Sequence, residues 1–63
     1  MKYRIKECRE NMGITQEELS RRSGVSRTII SGLESGSTLV TKTDTLLRIA
    51  NALGKKVSDI FLD

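Results

Sequence analysis

The chain has 63 residues, and 11 lysines and arginines against 8 aspartates and glutamates give it a formal net charge of +3. A chain of this length buries only about 60% of the surface that its unfolded form exposes, so we expect one small domain over residues 1–63. The positive charge favours a polyanionic partner. Histidine and tryptophan are absent and there is a single cysteine, so we expect no enzyme, no metal site and no cofactor.

The sequence also indicates where in the cell the protein is found. No stretch approaches the roughly 18 apolar residues that cross a bilayer, and the first six residues alternate charged with apolar groups. Cys8 has no partner for an internal disulfide, and we expect it to be a buried free thiol. We therefore predict a cytoplasmic protein without a membrane contact, a small-molecule ligand or a separate sensor domain.

Glycines mark the ends of the predicted helices. The chain has no proline and few aromatic residues, which argues against a sheet-rich domain. Four of the five glycines follow amphipathic runs, where a left-handed residue ends a helix: Gly13, Gly24, Gly36 and Gly54. They divide the chain into five segments, so we predict an all-α domain with five helices.

The first predicted helix runs roughly from Lys2 to Asn11. Ile5, Cys8 and Met12 share one face of it, at the spacing i, i+3 and i+7. We expect this face to enter the core.

Two short helices are predicted on either side of Gly24. Thr15 and Glu18 have the spacing of a capping box at the start of one helix, and Ser26 is the predicted N-cap of the next. Each helix also has a hydrophobic staple pair, Ile14 with Leu19 and Val25 with Ile30. Helices separated by about three residues around a glycine must cross steeply, which is the geometry of a helix-turn-helix.

The last third of the chain is predicted to close the core. A helix capped by Thr43 or Asp44 carries a wide apolar stripe, formed by Leu46, Leu47, Ile49, Ala50 and Leu53. Ser58 is predicted to cap a final turn that brings Ile60 and Phe61 over the core.

The outer face of the third helix holds only small residues, Thr28, Ser31, Gly32 and Ser35. Exposed helix surfaces usually hold strong helix formers, whereas a glycine costs about 1 kcal/mol. Close approach to the base edges of DNA explains these residues, and we predict that Thr28, Ser31 and Gly32 read bases, with Thr28 against a thymine methyl. A plain solvated face, or a glycine selected for helix packing, remains the alternative.

Arg27 is the long side chain in the first turn of this helix. A guanidinium makes the bidentate contact that reads guanine O6 and N7, so we predict that Arg27 reads a guanine in each half-site. The alternative is that it contacts only phosphate or solvent. Ser26 and Lys42 are further candidates for contacts to the DNA backbone.

Arg9 and Glu34 lie on the inner faces of their predicted helices. Buried charges need partners, so we predict an Arg9–Glu34 salt bridge that orients the third helix.

Four segments with this order and spacing resemble the lambda-repressor-like helix-turn-helix family, the Cro/CI or XRE type of bacterial and phage regulators. They are Thr-Gln-Glu-Glu-Leu-Ser at 15–20, Gly-Val-Ser-Arg at 24–27, Leu-Glu-Ser-Gly at 33–36 and Thr-Leu-Leu-Arg-Ile-Ala-Asn-Ala-Leu-Gly at 45–54. The resemblance runs from Ile5 to Phe61. It implies five helices, operator DNA bound in the major groove, dimeric binding and the Arg9–Glu34 pairing. It also implies that Gln16, at the start of the second helix, clamps a phosphate.

The resemblance further implies a dimer patch near the C-terminus, with Lys55, Lys56, Val57 and Phe61 as candidates. Closure of the core is the alternative role for Val57 and Phe61. The loop 37–41 lacks the proline and basic cluster common in the family, which leaves Lys42 as its main cation. We therefore predict a sequence-specific repressor that binds a palindromic operator as a homodimer. The alternative is a protein-interaction module, an antitoxin or antirepressor with the same fold.

Overall fold

A computed structural model describes residues 3–37 and 41–60 of the chain. These ranges form four α-helices and one 3₁₀ turn, which are α1 (Ile5–Asn11), α2 (Gln16–Ser23), α3 (Arg27–Ser35), α4 (Thr43–Ala52) and the 3₁₀ turn Val57–Ile60. The predicted all-helical class is confirmed, but the fifth predicted helix is a 3₁₀ turn of four residues. Lys2 and Phe61 lie outside the described residues, as does the centre of the loop 37–41.

The core is one cluster to which every helix contributes. Its fully covered large side chains are Ile5, Leu19, Ile30, Leu33, Ile49 and Ile60. Burying a side chain of this size contributes roughly 1.5–3 kcal/mol relative to leaving it in water. The backbone N–H of Arg4 donates to the carbonyl of Ile60 at 2.7 Å, so the start of α1 is joined to the 3₁₀ turn. Cys8 is a buried free thiol, as predicted.

Two residues predicted for the core face are exposed instead. Met12 is 41% exposed because α1 ends at Asn11 and Met12 is its C-cap. Leu47 is 47% exposed. Four other residues of α4 already cover its inner face at the spacing i, i+3, i+4 and i+7, namely Leu46, Ile49, Ala50 and Leu53. Leu47 is one position beyond Leu46, which turns it about 100° away from that face.

The helix starts agree only in part with the predicted caps. Thr15 Oγ1 accepts the N–H of Glu18 at 3.0 Å, and Ser26 Oγ accepts an N–H of α3 at 3.3 Å, as expected. The capping box also predicts that the Glu18 side chain accepts the backbone N–H of Thr15. This part of the prediction is wrong, because the carboxylate of Glu18 pairs with Arg21 and Arg22. Two arginines lie within one turn of that carboxylate on the same helix, and each of its oxygens is paired with one of them.

The caps predicted for the last third of the chain are also wrong. Lys42 is the N-cap residue of α4 and forms no side-chain cap, so neither Thr43 nor Asp44 has that role. Ser58 lies inside the 3₁₀ turn Val57–Ile60 and not before it, so it is not the N-cap of that turn. Asp59 Oδ2 instead accepts the backbone N–H of Lys56 at 3.0 Å, which joins the turn to the residue before it.

Candidate nucleic-acid interface

The turn between α2 and α3 is fixed by two serines and a glycine. Ser20 Oγ donates to the carbonyl of Val25 at 2.6 Å, and Ser23 Oγ accepts the N–H of Val25 at 3.2 Å. Gly24 has φ +75°, a left-handed conformation that side chains with a Cβ rarely adopt. This three-residue turn therefore holds α2 and α3 in one crossing geometry.

A side chain of α4 supports this turn. A Cβ built on Gly24 would lie 3.8 Å from Nη1 of Arg48. Arg48 Nε in turn pairs with Asp44 Oδ2 at 3.0 Å, one turn earlier in α4. The Arg48 guanidinium thus lies beside the turn, with its side chain 57% exposed.

The outer face of α3 lines an open hollow of about 550 Å³. Its walls contain all four residues predicted to read bases, together with one from the following loop, and they are Arg27, Thr28, Ser31, Gly32 and Ser37. We call this hollow the α3 groove. Arg27 is its one cationic residue and is exposed. Among residues 3–37 and 41–60, its guanidinium forms no salt bridge.

Sequence reasoning missed Ser37. Its hydroxyl lies 3.1 Å from that of Ser35, and its backbone N–H donates to Ser35 Oγ at 3.4 Å. Ser35 Oγ also donates to the carbonyl of Gly32 at 3.3 Å. The signal in the sequence was the pair of serines on either side of Gly36, whose left-handed φ of +88° turns the chain back over the helix end.

Arg9 and Glu34 meet between α1 and α3. Arg9 Nε donates to Glu34 Oε2 at 2.8 Å, and Arg9 Nη2 donates to Glu34 Oε1 at 3.1 Å. Their side chains are 11% and 4% exposed, so the pair lies largely out of water. The hydrogen bond to Glu34 is the main reason that the pKa of Arg9 is raised above its ordinary value. Arg9 Nη1 also donates to the carbonyl of Ile14 at 2.8 Å, so its guanidinium is fixed from two sides.

Gln16, the predicted phosphate clamp, is the first residue of α2 and belongs to the same cluster. Its Nε2 donates to Glu34 Oε1 at 3.0 Å, and the side chain is half-buried. Glu34 therefore accepts hydrogen bonds from α1 and α2 while it belongs to α3. We call Arg9, Glu34 and Gln16 the three-helix polar cluster.

The remaining predicted phosphate contacts stand at helix starts. Ser26 and Lys42 are exposed N-cap residues of α3 and α4. The Ser26 hydroxyl already accepts an N–H of its own helix, whereas Lys42 forms no salt bridge in the described part of the chain.

The arginines of α2 are committed to a neighbouring carboxylate. Arg22 Nε pairs with Glu18 Oε2 at 2.7 Å, and Arg21 pairs with the other oxygen of the same carboxylate. These hydrogen bonds, first from Arg22 and then from Arg21, lower the pKa of Glu18 below its ordinary value. The pairs are exposed, and they leave α2 with less free positive charge than its sequence indicates.

The predicted dimer candidates lie beyond α4. Lys55 and Lys56 are exposed and Val57 is half-buried, while Phe61 lies outside the described residues. Among the described residues, no group of three histidine, cysteine, aspartate or glutamate side chains has a metal-binding arrangement. No described helix is long and apolar enough to span a membrane.

Two helices joined by a three-residue turn, with small residues and one arginine on the outer face of the second helix, define a class of protein. A helix-turn-helix family model matches residues 5–60, and the chain belongs to this family of DNA-binding transcriptional regulators, which is not an enzyme family. The earlier resemblance to its lambda-repressor-like members is therefore confirmed.

Individual relatives come from archaea and bacteria. The chain is 42% identical over 66 residues to an HTH-type transcriptional regulator of Methanothermobacter thermautotrophicus, with 98% of this chain and 90% of the relative covered. It is 40% identical over 62 residues to one of Archaeoglobus fulgidus, with 98% and 86% covered. It is 34% identical over 61 residues to the HTH-type transcriptional regulator YgzD of Bacillus subtilis, with 97% and 91% covered. The family likeness thus extends beyond bacteria and phages.

Proposed function

We propose that this protein is a repressor that binds a specific palindromic operator as a homodimer and occupies promoter DNA. The observation that carries this proposal is the α3 groove, which is lined by the exposed residues Arg27, Thr28 and Ser31 together with the half-buried Gly32. An α-helix fits the major groove of B-DNA, and small side chains let its backbone approach the base edges. The groove therefore suits a major-groove reader better than a ligand pocket.

Arg27 is the specificity residue in this proposal. Its guanidinium forms no salt bridge with the described residues and is at the first position of α3, and the N-terminal residues of such a helix are the ones that contact base edges. A bidentate contact to guanine is worth about 1–3 kcal/mol of discrimination against another base. Thr28, Ser31 and Gly32 then contribute shape and small polar contacts around that guanine.

Gln16 is proposed to hold a phosphate through the second hydrogen of its amide. One N–H of Nε2 is occupied by Glu34, and a primary amide has two. The fixed first hydrogen bond orients the second donor before DNA arrives, which lowers the entropy lost on binding. Ser26 and Lys42 complete the backbone contacts, with Lys42 supplying the charge.

Few phosphate contacts make a single half-site weak, and this argues for a dimer. Each neutralised phosphate releases counterions and adds affinity, so a domain with few free cations gains little from one half-site. Two copies on half-sites about one helical turn apart, roughly 34–36 Å, combine their binding energies.

Selection of bound duplexes from a random pool, at two salt concentrations, tests this function. We expect enrichment of a palindrome with a guanine in each half-site at both concentrations. Binding that falls with salt and enriches no sequence would contradict a specific regulator, because phosphate contacts alone carry no sequence information.

Arg27→Ala, compared with Arg21→Ala, tests the base-reading role. Both remove one exposed arginine, but only Arg27 lines the α3 groove. We expect Arg27→Ala to relax the preference at the guanine by about 5-fold to 150-fold, the range equivalent to about 1–3 kcal/mol. Arg21→Ala should leave the preference unchanged. If Arg27→Ala weakens all duplexes equally, Arg27 contacts phosphate instead.

The alternative, a protein-interaction module, called for a broad exposed apolar patch. The described residues expose three large apolar side chains, Met12, Ile29 and Leu47, at 41%, 38% and 47%. Met12 is the C-cap of α1, whereas Ile29 and Leu47 belong to α3 and α4, and each is more than half covered. The surface of the described residues therefore favours DNA over a protein as the principal partner.

A further inference from the structure

A second depression lies between α1 and the segment that joins α4 to the 3₁₀ turn. It is an open cleft of about 740 Å³. Its lining includes Arg4 and Glu7 from the start of α1, Met12 from its end, and Lys55 and Asp59 from the facing segment. We call it the α1 cleft. It has no residue in common with the α3 groove, so both can be occupied at once.

The α1 cleft has a net charge of zero, although the chain as a whole is positively charged. Two cations and two carboxylates line it, whereas the whole chain carries +3. Within the described residues, none of these four side chains forms a salt bridge with another residue of the chain. These cations and carboxylates can therefore form salt bridges with a partner whose surface also carries both positive and negative charges.

The partner that fits this pattern is a second copy of the chain. A two-fold contact places the same patch against itself, so the patch must be complementary to itself. A patch made only of Lys55 and Lys56 would repel its copy, and two chains of +3 repel each other at long range. A cleft with both signs removes that repulsion at the point of contact. Met12, 41% exposed on its rim, adds apolar area to bury.

The position of the cleft also suits a DNA-bound dimer. Arg9 faces α3, and Glu7 is two residues away, about 200° around α1 at roughly 100° per residue, so the side of the cleft formed by Glu7 faces away from α3. The backbone of the described residues spans 24 × 21 × 19 Å along its principal axes, so two copies in contact have centres closer than half-sites about 34–36 Å apart. The α3 helices must then lie outward of those centres, which requires a contact on the side away from α3.

We propose that the α1 cleft is the homodimer interface, with Glu7 of each copy paired to Lys55 of the other across a two-fold axis. This inference rests on the proposed function for its dimeric state, and it adds α1 to an interface that the sequence confined to the C-terminal residues. Asp59 already accepts a backbone N–H of its own chain, whereas Glu7 forms no salt bridge with any residue that the structure describes, so Glu7 is the carboxylate of the cleft that we assign to the pair.

Charge reversal tests the pairing by sedimentation equilibrium of the full chain without DNA. We expect Glu7→Lys and Lys55→Glu each to weaken the dimer by at least about tenfold, because every reversal acts twice in a symmetric dimer. The combined variant, with both charges exchanged, should return the dissociation constant to within about threefold of the wild type, since opposite charges then face each other again. A monomeric wild type, or additive losses in the combined variant, would overturn the proposal.

Matched controls separate this contact from general charge effects. Glu17→Lys reverses an exposed acidic residue in the first turn of α2, as Glu7→Lys does in α1, and Lys6→Glu reverses an exposed lysine outside the cleft. Neither should change the dimer by more than about twofold. Controls that weaken the dimer as much as the cleft variants would refute a local contact.

Binding to a duplex with one half-site distinguishes the two hypotheses. On this duplex, Lys55→Glu should bind no more weakly than the matched control Lys6→Glu, and Glu7→Lys should bind no more weakly than the wild type, because the α3 groove is untouched. A dimer that responds as expected but selects no DNA sequence contradicts the proposed function and supports the cleft contact. Specific binding to the half-site, together with a dimer dissociation constant that the Glu7 and Lys55 variants do not change, supports the proposed function and contradicts the cleft contact.

Discussion

Removing the carboxylate of Glu34 is expected to destabilise the fold more than any exposed charge change. In Glu34→Ala, three hydrogen bonds vanish, two from Arg9 and one from Gln16. The Arg9 side chain, 11% exposed, then keeps its charge in a site without a counter-ion. An uncompensated charge in such a site, rather than the lost attraction, causes most of the destabilisation.

The magnitude follows from that burial. Breaking a buried pair by removing one partner costs about 3–5 kcal/mol. A domain of this length has a free energy of unfolding of roughly 3–9 kcal/mol, at about 0.05–0.15 kcal/mol per residue. Since about 1 kcal/mol shifts the midpoint of a small domain by roughly 4–8 °C, the melting temperature should fall by more than about 12 °C. A measurable part of the population should be unfolded at room temperature.

Urea unfolding followed by circular dichroism measures this loss. Glu18→Ala is the control, because it also removes a carboxylate held by arginine, but from an exposed pair, and we expect a far smaller effect. The combined variant Arg9→Met with Glu34→Leu should regain much of the loss, since it leaves no unpaired charge behind. A midpoint for Glu34→Ala equal to that of the wild type would refute the claim that the pair is buried and structural.

Three further predictions concern the helix starts and the turn. Gly24→Ala should lower the free energy of unfolding by about 1–2 kcal/mol, because its φ of +75° is strained for any residue with a Cβ, and an unchanged urea midpoint would contradict this. Thr15→Ala should lower it by about 1 kcal/mol by removing the acceptor for the N–H of Glu18, whereas Thr15→Ser should have little effect, and equal losses in both would argue against the cap. Arg22→Ala should raise the pKa of Glu18 toward its ordinary value more than Arg21→Ala does, as measured by NMR titration of the carboxyl group. Because the folded pKa is lowered, the stabilisation by these pairs is present above the unfolded pKa and fades as the pH falls through the folded one; equal shifts in the two variants would contradict the ranking.

The helices were predictable because their ends are encoded locally. A glycine that must adopt a positive φ and a hydroxyl three residues before a free N–H act within one turn of chain. Gly24 and Gly36 both took that conformation, and Thr15 and Ser26 both capped a helix. Neither device depends on the tertiary fold, so the sequence alone was enough for them.

One failure arose where one side chain had several partners within reach. Glu18 was predicted to return to Thr15, but arginines three and four residues later are equally close along the helix and carry full charge. The prediction for Ser58 failed for another reason, because the 3₁₀ turn begins at Val57 and already contains Ser58. The start of so short a turn depends on how it packs against α1 and α4, and the local pattern does not define it.

The three-helix polar cluster shows where sequence reasoning stops and why that matters for DNA. The positions of Arg9 and Glu34 on the inner faces of their helices, and the need of a buried charge for a partner, were enough to predict the salt bridge between them. They do not predict Gln16, because a carboxylate offers about four acceptor sites and the residue that fills the third depends on how α2 packs. Its presence makes Glu34 a common acceptor for the residue that anchors α1 and the residue proposed to hold a phosphate. In that arrangement, Glu34→Gln would disturb stability and phosphate contact together, whereas Gln16→Ala would weaken phosphate contact while the Arg9–Glu34 pair still closes the core.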